Sequence, residues 1–326
     1  MTRADVIVLN YNGRRFLTPC LNALRAQSFH DFRVIVVDNA STDGSVETVK
    51  TEFPEVHTLV LSSNQGFCGG NNRGIEATTS EYVALINMDT EVTPGWLQAL
   101  VEVLDRQPDI GFCASRIVRI SDCMTLDTAG DVFYTHGVGG KRGEGQCIAC
   151  YANPEQVFSA CAAAAIYRRC MLEDIGLFDE DFFARNEDLD LGFRAQLRGY
   201  SCQYVPEAVA YHHVGGSFVG QSATWDPIER RNMLDVLIKN LPAALWFKYA
   251  LLIFVYYLLG DIYYVFRHGP QTVLGARSEN MRRLRRTLSK RRQIQGHRVI
   301  SVSALDAKLT HQGLKSVALG MRRRLG

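Results

Sequence analysis

The sequence predicts an α/β fold: a mainly parallel sheet flanked by helices, followed by a helical C-terminal extension that associates with a membrane. Three observations carry this expectation. Short apolar, β-branched runs at residues 6–9, 33–37, 58–61 and 82–86 alternate with amphipathic stretches at 14–27, 44–52 and 70–78. The runs are continuously apolar, as strands are when helices cover both faces of their sheet. Beyond residue 240 the character changes to one long apolar and aromatic segment, 243–266, with an arginine-rich segment behind it.

The first hundred residues therefore read as βαβαβαβ, an open parallel sheet with right-handed crossovers. Ligands of such sheets sit beyond the carboxyl ends of the strands, so the residues closing each strand come first. The first run ends in Asn10-Tyr11-Asn12-Gly13 and the second in Asp38-Asn39-Ala40-Ser41-Thr42-Asp43-Gly44. The third is followed by Asn64-Gln65-Gly66-Phe67 and Gly70-Asn71-Asn72-Arg73-Gly74, and the fourth ends in Asn87-Met88-Asp89. At any one place Asn, Asp and Gly are ordinary cap and turn residues. Four such endings along one sheet edge point instead to a polar ligand.

A helix is expected at 94–105. Segment 123–153 is glycine-rich with hairpin character, and a long loop of that composition can serve as a lid. Small residues fill 159–166, and acids cluster at Phe178-Asp179-Glu180-Asp181. The run Asn186-Glu187-Asp188-Leu189-Asp190-Leu191 opens a helix reaching about Arg198, with its acids in the first turn, where the helix dipole favours them. A short strand at 203–205 leads through Pro206 to His212-His213-Val214-Gly215-Gly216-Ser217. The expected division is a catalytic unit over 1–240 and an extension over 241–326.

Lys248 and Asp261 interrupt the apolar segment of the extension. Its uninterrupted core, 249–260, is shorter than the roughly 20 residues of a spanning helix. Its aromatic residues suit a membrane interface, and Arg282-Arg283-Leu284-Arg285-Arg286 with Lys290-Arg291-Arg292 suits anionic lipid. The plainer alternative is a core helix followed by a solvated charged one. From Arg267 onward there are 15 Lys and Arg against 2 Asp and Glu, a balance of +13, so a net charge of +2 leaves −11 on the remainder. A basic end of this kind favours an anionic partner. No helix-turn-helix, RRM or zinc-finger pattern accompanies it, so lipid is expected and nucleic acid is not. The nine cysteines contain one CxxC pair, Cys147 and Cys150, half of a structural zinc site, and read as reduced cytosolic thiols. The chain opens without a charged segment followed by an apolar one, so no signal peptide is expected.

The strand ends suggest chemistry. Asp38 could accept hydrogen bonds from a pyrimidine N–H or ribose hydroxyls. Asp89 could hold a hard divalent cation, Mg²⁺ or Mn²⁺, which would neutralise a departing diphosphate. A nitrogen ligand from His212 would favour Mn²⁺. The glycine-rich segment after the third strand lacks the GK[ST] ending of a P-loop, and no GxGxxG follows the first strand. P-loop phosphoryl transfer and dinucleotide redox chemistry are therefore disfavoured. Glu187 and Asp188 are the candidates for a base that deprotonates an attacking hydroxyl; a single in-line displacement would invert the carbon attacked.

Taken in order and spacing, these motifs, from Val8-Leu9-Asn10-Tyr11-Asn12-Gly13 to Glu187-Asp188-x-Asp190-Leu191, resemble the family 2 glycosyltransferases, and within them the bacterial rhamnosyltransferase-like group. The resemblance runs from about Asp5 to Ser217 and more loosely through the tail. It implies a GT-A, Rossmann-like fold in which Asp38 contacts the nucleobase. Asn10, Tyr11, Asn12, Asn64, Gly70, Asn72, Asn87 and Met88 are the further nucleotide-sugar-binding candidates. Asn87-Met88-Asp89 stands where the family carries Asp-x-Asp, Asp188 matches its catalytic base, and His212 the histidine that closes the metal site in some members, with the adjoining His213 as the other choice. Asn87 departs from the motif by carrying no charge, a form the rhamnosyltransferase-like members share; it leaves Asp89 as the main carboxylate ligand. The implied function is inverting, metal-dependent transfer of a sugar, with dTDP-rhamnose favoured by the subgroup, to a lipid-linked or polysaccharide acceptor. The implied location is the cytoplasmic face of the bacterial inner membrane. A catalytically inactive nucleotide-sugar-binding partner protein is the alternative; the acids Asp89, Glu187 and Asp188 argue against it.

Overall fold

The computed structural model describes residues 2–215 and 222–311, with side chains from 227 onward in the second stretch. Gly216 and Ser217 of the histidine motif, and Lys315 and Arg322 to Arg324 of the basic end, lie outside the described residues.

The expected parallel half is present. β1 (Ala4–Asn10), β2 (Phe32–Asp38), β3 (His57–Val60) and β4 (Tyr82–Asn87) lie side by side as β3-β2-β1-β4, all parallel. They are linked by α1 (Arg14–Arg25), α2 (Ser45–Glu52) and α3 (Gly66–Glu76). Successive residues of β1 enter opposite cores, Ile7 on one face of the sheet and Val6 and Val8 on the other, which is why the run is continuously apolar. α3 begins four residues before the expected Gly70. Glycine is a poor helix former, but a Cβ on Gly70 would meet Leu9 at 2.4 Å and one on Gly74 would meet Ile7 at 2.7 Å. The helix rests directly on β1, and that packing overrides propensity.

The chain continues through β5 (Thr90–Val92), α4 (Trp96–Arg106), β6 (Ile110–Arg119), β7 (Asp122–Thr128), β8 (Asp131–Tyr134), β9 (Val138–Lys141), β10 (Glu155–Val157), β11 (Ala164–Arg168), α5 (Arg169–Ile175), α6 (Glu187–Arg198) and β12 (Ser201–His212). β11 inserts antiparallel between β4 and β6, and β12 runs parallel to β6, so the sheet extends as β4-β11-β6-β12-β10. The short strand expected at 203–205 is therefore twelve residues long. It passes Pro206 through a register shift between Val205 and Val209, the device by which a strand accommodates a residue without an N–H. The hairpin character expected of the glycine-rich stretch is present at β8–β9, and that hairpin packs against the body. β8 pairs with β9, Phe133 is fully buried, and Gly139 lies against Leu189 of α6.

The C-terminal part is helical: α7 (Ser222–Asn240), α8 (Ala243–His268), α9 (Pro270–Gly296) and α10 (Val302–Lys308). Leu237, Leu241, Leu245, Ile253 and Leu305 share one core with Phe133, Leu189 and Phe193. A boundary at 240/241 thus falls inside a continuous packed region. α8, with 26 residues, is long and apolar enough to cross a membrane by length and composition alone, longer than the interrupted sequence suggested.

Candidate active site

The carboxyl ends of the parallel strands form the expected polar edge. Asn10 and Asp38 close β1 and β2 in register. Both are buried, and Asn10 Nδ2 lies 2.8 Å from Asp38 Oδ1, 2.8 Å from Ser45 Oγ and 3.1 Å from Ser41 Oγ. Asp38 Oδ2 accepts from the Ser41 N–H at 2.9 Å. Each Asp38 oxygen therefore has one partner within the chain and one remaining acceptor direction. Asn12 Oδ1 accepts from the Thr42 N–H at 2.8 Å, and Asn12 and Ala40 both hold left-handed backbone, at φ 51° and 65°. Two loops are thus pinned to one another, leaving Tyr11 above them, 46% exposed. A cleft of about 580 Å³ lined by Arg14, Arg15 and Asp43 opens beside Asn12; neither Asp89 nor His212 lines it.

Asn64, Gly70 and Asn72 have internal roles. Asn39 Nδ2 donates to Asn64 Oδ1 at 2.9 Å, and Asn64 Oδ1 also accepts from the Gly66 N–H at 2.8 Å. Asn72 Nδ2 donates to the Phe178 carbonyl at 2.9 Å while its Oδ1 accepts from the Phe178 N–H at 3.0 Å. Asn72 thereby fastens α3 to the acidic segment, and Gly70 allows the close approach of α3 to β1.

The end of β4 meets the end of β12. β5 pairs with β12 so that Thr90 lies opposite His212, which sets His212 beside Asp89. His212 Nε2 is 3.5 Å from Asp89 Oδ1, and Asp89 is buried. His212 Nδ1 is 3.0 Å from Asp127 Oδ2. A proton on Nδ1 shared with a carboxylate aims the Nε2 lone pair, the usual support of a metal-ligating histidine. Burial alone would lower the His212 pKa, but its hydrogen bonds to Asp127 and Asp89 outweigh burial and raise it to about 9. Proton and cation thus compete for Nε2. His213 turns elsewhere, with Nε2 3.5 Å from Glu91 and its ring against Phe16. Met88 Sδ accepts from the Tyr11 N–H at 3.4 Å, tying the β1 and β4 endings together.

Asp127 is fully buried and also accepts from Lys141 Nζ at 2.7 Å. Burial would raise its pKa; the His212 and Lys141 hydrogen bonds hold it down to about 2. The sequence reading did not single out Asp127, Asp131 or Lys141. No strand is expected at 122–128 from the sequence, so nothing there marks Asp127 as a strand ending; the structure supplies that strand.

Asp188 reaches the same edge. Its Oδ2 accepts from the Ala162 N–H at 3.4 Å, and the neighbouring Ala163 carbonyl accepts from the Asn87 N–H at 3.0 Å. One small-residue turn therefore connects the start of α6 to the end of β4. Smallness is required there: a Cβ on Gly192 would fall 1.9 Å from Ser159 Oγ, which itself donates to the Asp188 carbonyl at 3.1 Å. Among the described residues, buried Glu187 has no hydrogen-bond partner on Oε2 and buried Asp131 has none on Oδ2. Burial and then Asp188 raise the pKa of both, and burial raises that of Asp188. Asp190 is committed to structure: its Oδ2 accepts from Arg194 Nε at 2.9 Å and its Oδ1 from Asn240 Nδ2 at 2.8 Å. The loop entering α6 is strained, with Phe183, Arg185 and Asn186 at φ of 63°, 75° and 66°. Buried Asn232 holds it, its Nδ2 within 3.1 Å of the carbonyls of Phe182, Ala184 and Arg185. Strain secured in this way is characteristic of functional loops.

Among the described residues no group of three or more His, Cys, Asp or Glu side chains could hold a metal alone. One carboxylate and one oriented imidazole nonetheless fit a divalent cation that takes its other ligands from a bound diphosphate.

Comparison with known proteins bears on the family and the fold. The profile described as Glycosyl transferase family 2 matches residues 5–176. The chain is 33% identical over 130 residues to an uncharacterized glycosyltransferase of Nostoc sp., covering 39% of this chain and 40% of that protein. It is 25% identical over 233 residues to the N-acetylglucosaminyl-diphospho-decaprenol L-rhamnosyltransferase of Mycobacterium tuberculosis, covering 64% and 75%. Among solved structures, a mannosyltransferase of Pyrobaculum calidifontis in complex with GDP-Man and Mn²⁺ matches with a TM-score of 0.53 at 16% identity, over 98% of this chain and 81% of that one. TarS 1–349 of S. aureus matches with a TM-score of 0.51 at 18% identity, over 86% and 91%. These likenesses show the fold, which is GT-A.

Proposed function

Since the chain belongs to the family 2 glycosyltransferases, we propose that it is an inverting, metal-dependent enzyme moving a sugar from a nucleoside diphosphate onto a membrane-linked acceptor. The observation that carries this is the meeting of Asp89, His212 and the Asp188 turn at one sheet edge. Asp89 and His212 would hold Mg²⁺ or Mn²⁺, with Asp127 fixing the imidazole. When bound, the cation supplies Lewis-acid neutralisation of the leaving diphosphate. Tyr11 offers an aromatic face, and the Asn10–Asp38 pair a polar floor, for the nucleobase. Asn87, uncharged, faces the sugar without repelling the diphosphate.

Asp188 takes the proton of the acceptor hydroxyl as its oxygen attacks the anomeric carbon. Its raised pKa strengthens it as a base once ionised. Burial and the neighbouring Asp188 raise the pKa of Glu187 and of Asp131, and Asp188 accepts backbone N–H bonds, from Leu189 and Ala162, that favour its ionised form. A single displacement inverts the anomeric centre.

The donor favoured is dTDP-rhamnose and the acceptor a polyprenyl-diphosphate-linked sugar, at the cytoplasmic face of a bacterial inner membrane. The mycobacterial relative is named for transfer of L-rhamnose to N-acetylglucosaminyl-diphospho-decaprenol, and a relative of Erwinia amylovora, 28% identical over 226 residues, is named for amylovoran biosynthesis. The test is transfer from dTDP-rhamnose to a polyprenyl-diphosphate acceptor, with the anomeric configuration of the product read by NMR. Inversion is expected. A retained configuration would remove the single-displacement role of Asp188, and activity confined to another nucleotide would remove the rhamnose assignment.

A further inference from the structure

We propose that the outward faces of α8 and α9 form a docking surface for an anionic lipid membrane, with α8 lying in the membrane plane and not crossing it. The proposal deepens the membrane-linked acceptor reading above and rests on it. α8 exposes Phe247, Leu251, Phe254, Leu258, Ile262 and Phe266 at helical spacing, three of them more than 70% exposed. They lie across the helix from Leu245, Ile253 and Gly260, which are buried. A continuous exposed apolar stripe of this size is a binding face. α9 carries Leu274, Met281 and Leu288, seven residues apart and all exposed. Arg285 and Arg292 fall on that same stripe, are exposed, and make no ion pair among the described residues. Apolar residues interleaved with arginine match the boundary between acyl chains and anionic headgroups. A protein surface complementary to α8 alone would not call for the arginines.

The inner side of α8 explains why it does not cross. Lys248 donates to Asp306, and Tyr249 Oη donates to Asp306 Oδ1 at 2.6 Å. Tyr257 Oη donates to the Gly137 carbonyl at 3.1 Å, and Asp261 Oδ1 accepts from Arg230 Nε at 2.8 Å and from Arg277 at 2.7 Å. The helix is bound to the body from 248 to 261, about 20 Å of its length. Crossing a bilayer would strip these contacts and place Lys248 and Asp261 in hydrocarbon. The same side reaches the site: Gly137 lies at the tip of the β8–β9 hairpin, which carries Asp131 and Lys141. The docking face is thus one packing layer from the catalytic acids, within reach of an acceptor whose lipid stays in the bilayer.

The test uses the full chain with vesicles of phosphatidylcholine alone and of phosphatidylcholine mixed with phosphatidylglycerol, read by co-sedimentation. Strong binding to the mixed vesicles, weakened by salt and fully reversed by alkaline carbonate, is expected. Leu251→Glu with Phe254→Glu should weaken binding at least about ten-fold. Arg285→Glu with Arg292→Glu should weaken it on the mixed vesicles only. All four substituted side chains are exposed, and unchanged nucleoside diphosphate binding would confirm that each variant is folded. No binding to mixed vesicles, retention after carbonate, or unaltered binding by both folded variants would overturn the proposal. If the wild-type chain bound vesicles as expected but bound no nucleoside diphosphate, the docking face would stand and the transferase reading would fall.

Discussion

Removing the Asp127 side chain should cost metal affinity without dismantling the fold. Asp127 Oδ2 lies 3.0 Å from His212 Nδ1, and Asp127 is fully buried. Without it the imidazole loses the partner that fixes its tautomer and direction. A carboxylate behind a ligating histidine is worth about 10–100-fold in metal affinity, or about 1.4–2.7 kcal/mol. Lys141, the other partner of Asp127, keeps about a third of its side chain exposed and can turn to water, so the stability cost should stay within about 1–3 kcal/mol. Asp127→Asn keeps an acceptor oxygen and should fall between wild type and Asp127→Ala. The assay is titration of Mn²⁺ into protein and nucleoside diphosphate, with free Mn²⁺ followed by EPR, beside thermal unfolding without metal. Wild-type Mn²⁺ affinity in folded Asp127→Ala, with affinity lost in His212→Ala, would refute the positioning role.

Other predictions follow from the acids and from packing. Asp188→Asn should lower transfer by about 10²–10⁴-fold while calorimetry shows donor binding unchanged; transfer at wild-type rate would exclude it as the base. Glu187 is buried with its pKa raised from 4.5 to about 8, so over that window the folded state holds a proton the unfolded state has lost, and stability falls as pH rises. Glu187→Gln should remove that slope and raise the unfolding free energy, read by urea denaturation, relative to wild type more at pH 8.5 than at pH 5, by of the order of a few kcal/mol; parallel pH profiles for the two proteins would show that Glu187 is not held neutral. Gly70→Ala would drive a Cβ to 2.4 Å from Leu9 and should destabilise by about 1–3 kcal/mol in urea unfolding, where an unchanged midpoint would mean that α3 can move off β1.

The parallel half of the fold was legible because its signals are local. Continuous apolar runs and the Asn, Asp and Gly endings placed β1 to β4 and their polar edge within a few residues. The second half was harder to read because its partners are distant in the chain. β12 continues past Pro206 only because β6 and β5 are there to receive it, and nothing between 201 and 212 announces that. Asn72 and Gly70 were read as donor-pocket residues from their motif, but what they contact is Phe178 and Leu9; a motif does not distinguish binding a ligand from holding the loop that binds it. The choice between His212 and His213 could not be made from adjacent letters, whereas strand alternation sends one toward Asp89 and the other toward Glu91. Asp127 was hidden for the same reason, since its significance depends on His212, 85 residues later. The extension was legible in composition but not in attachment: Leu241, Leu245 and Ile253 belong to the body's core, so truncation at 241 would remove core packing along with the docking face.

The most direct test of the central claim is a donor screen with the full chain, Mn²⁺ and lipid vesicles carrying bacterial polyprenyl-linked acceptors. Thymidine, uridine and guanosine diphosphate sugars would be offered in turn, and release of the nucleoside diphosphate measured alongside glycosylated lipid. The account predicts metal-dependent release from one nucleotide class, matched by sugar on the lipid and abolished by Asp89→Ala. A folded protein that binds one of these donors yet neither releases the diphosphate nor glycosylates lipid would contradict it, and would favour a nucleotide-sugar-binding protein without transferase activity.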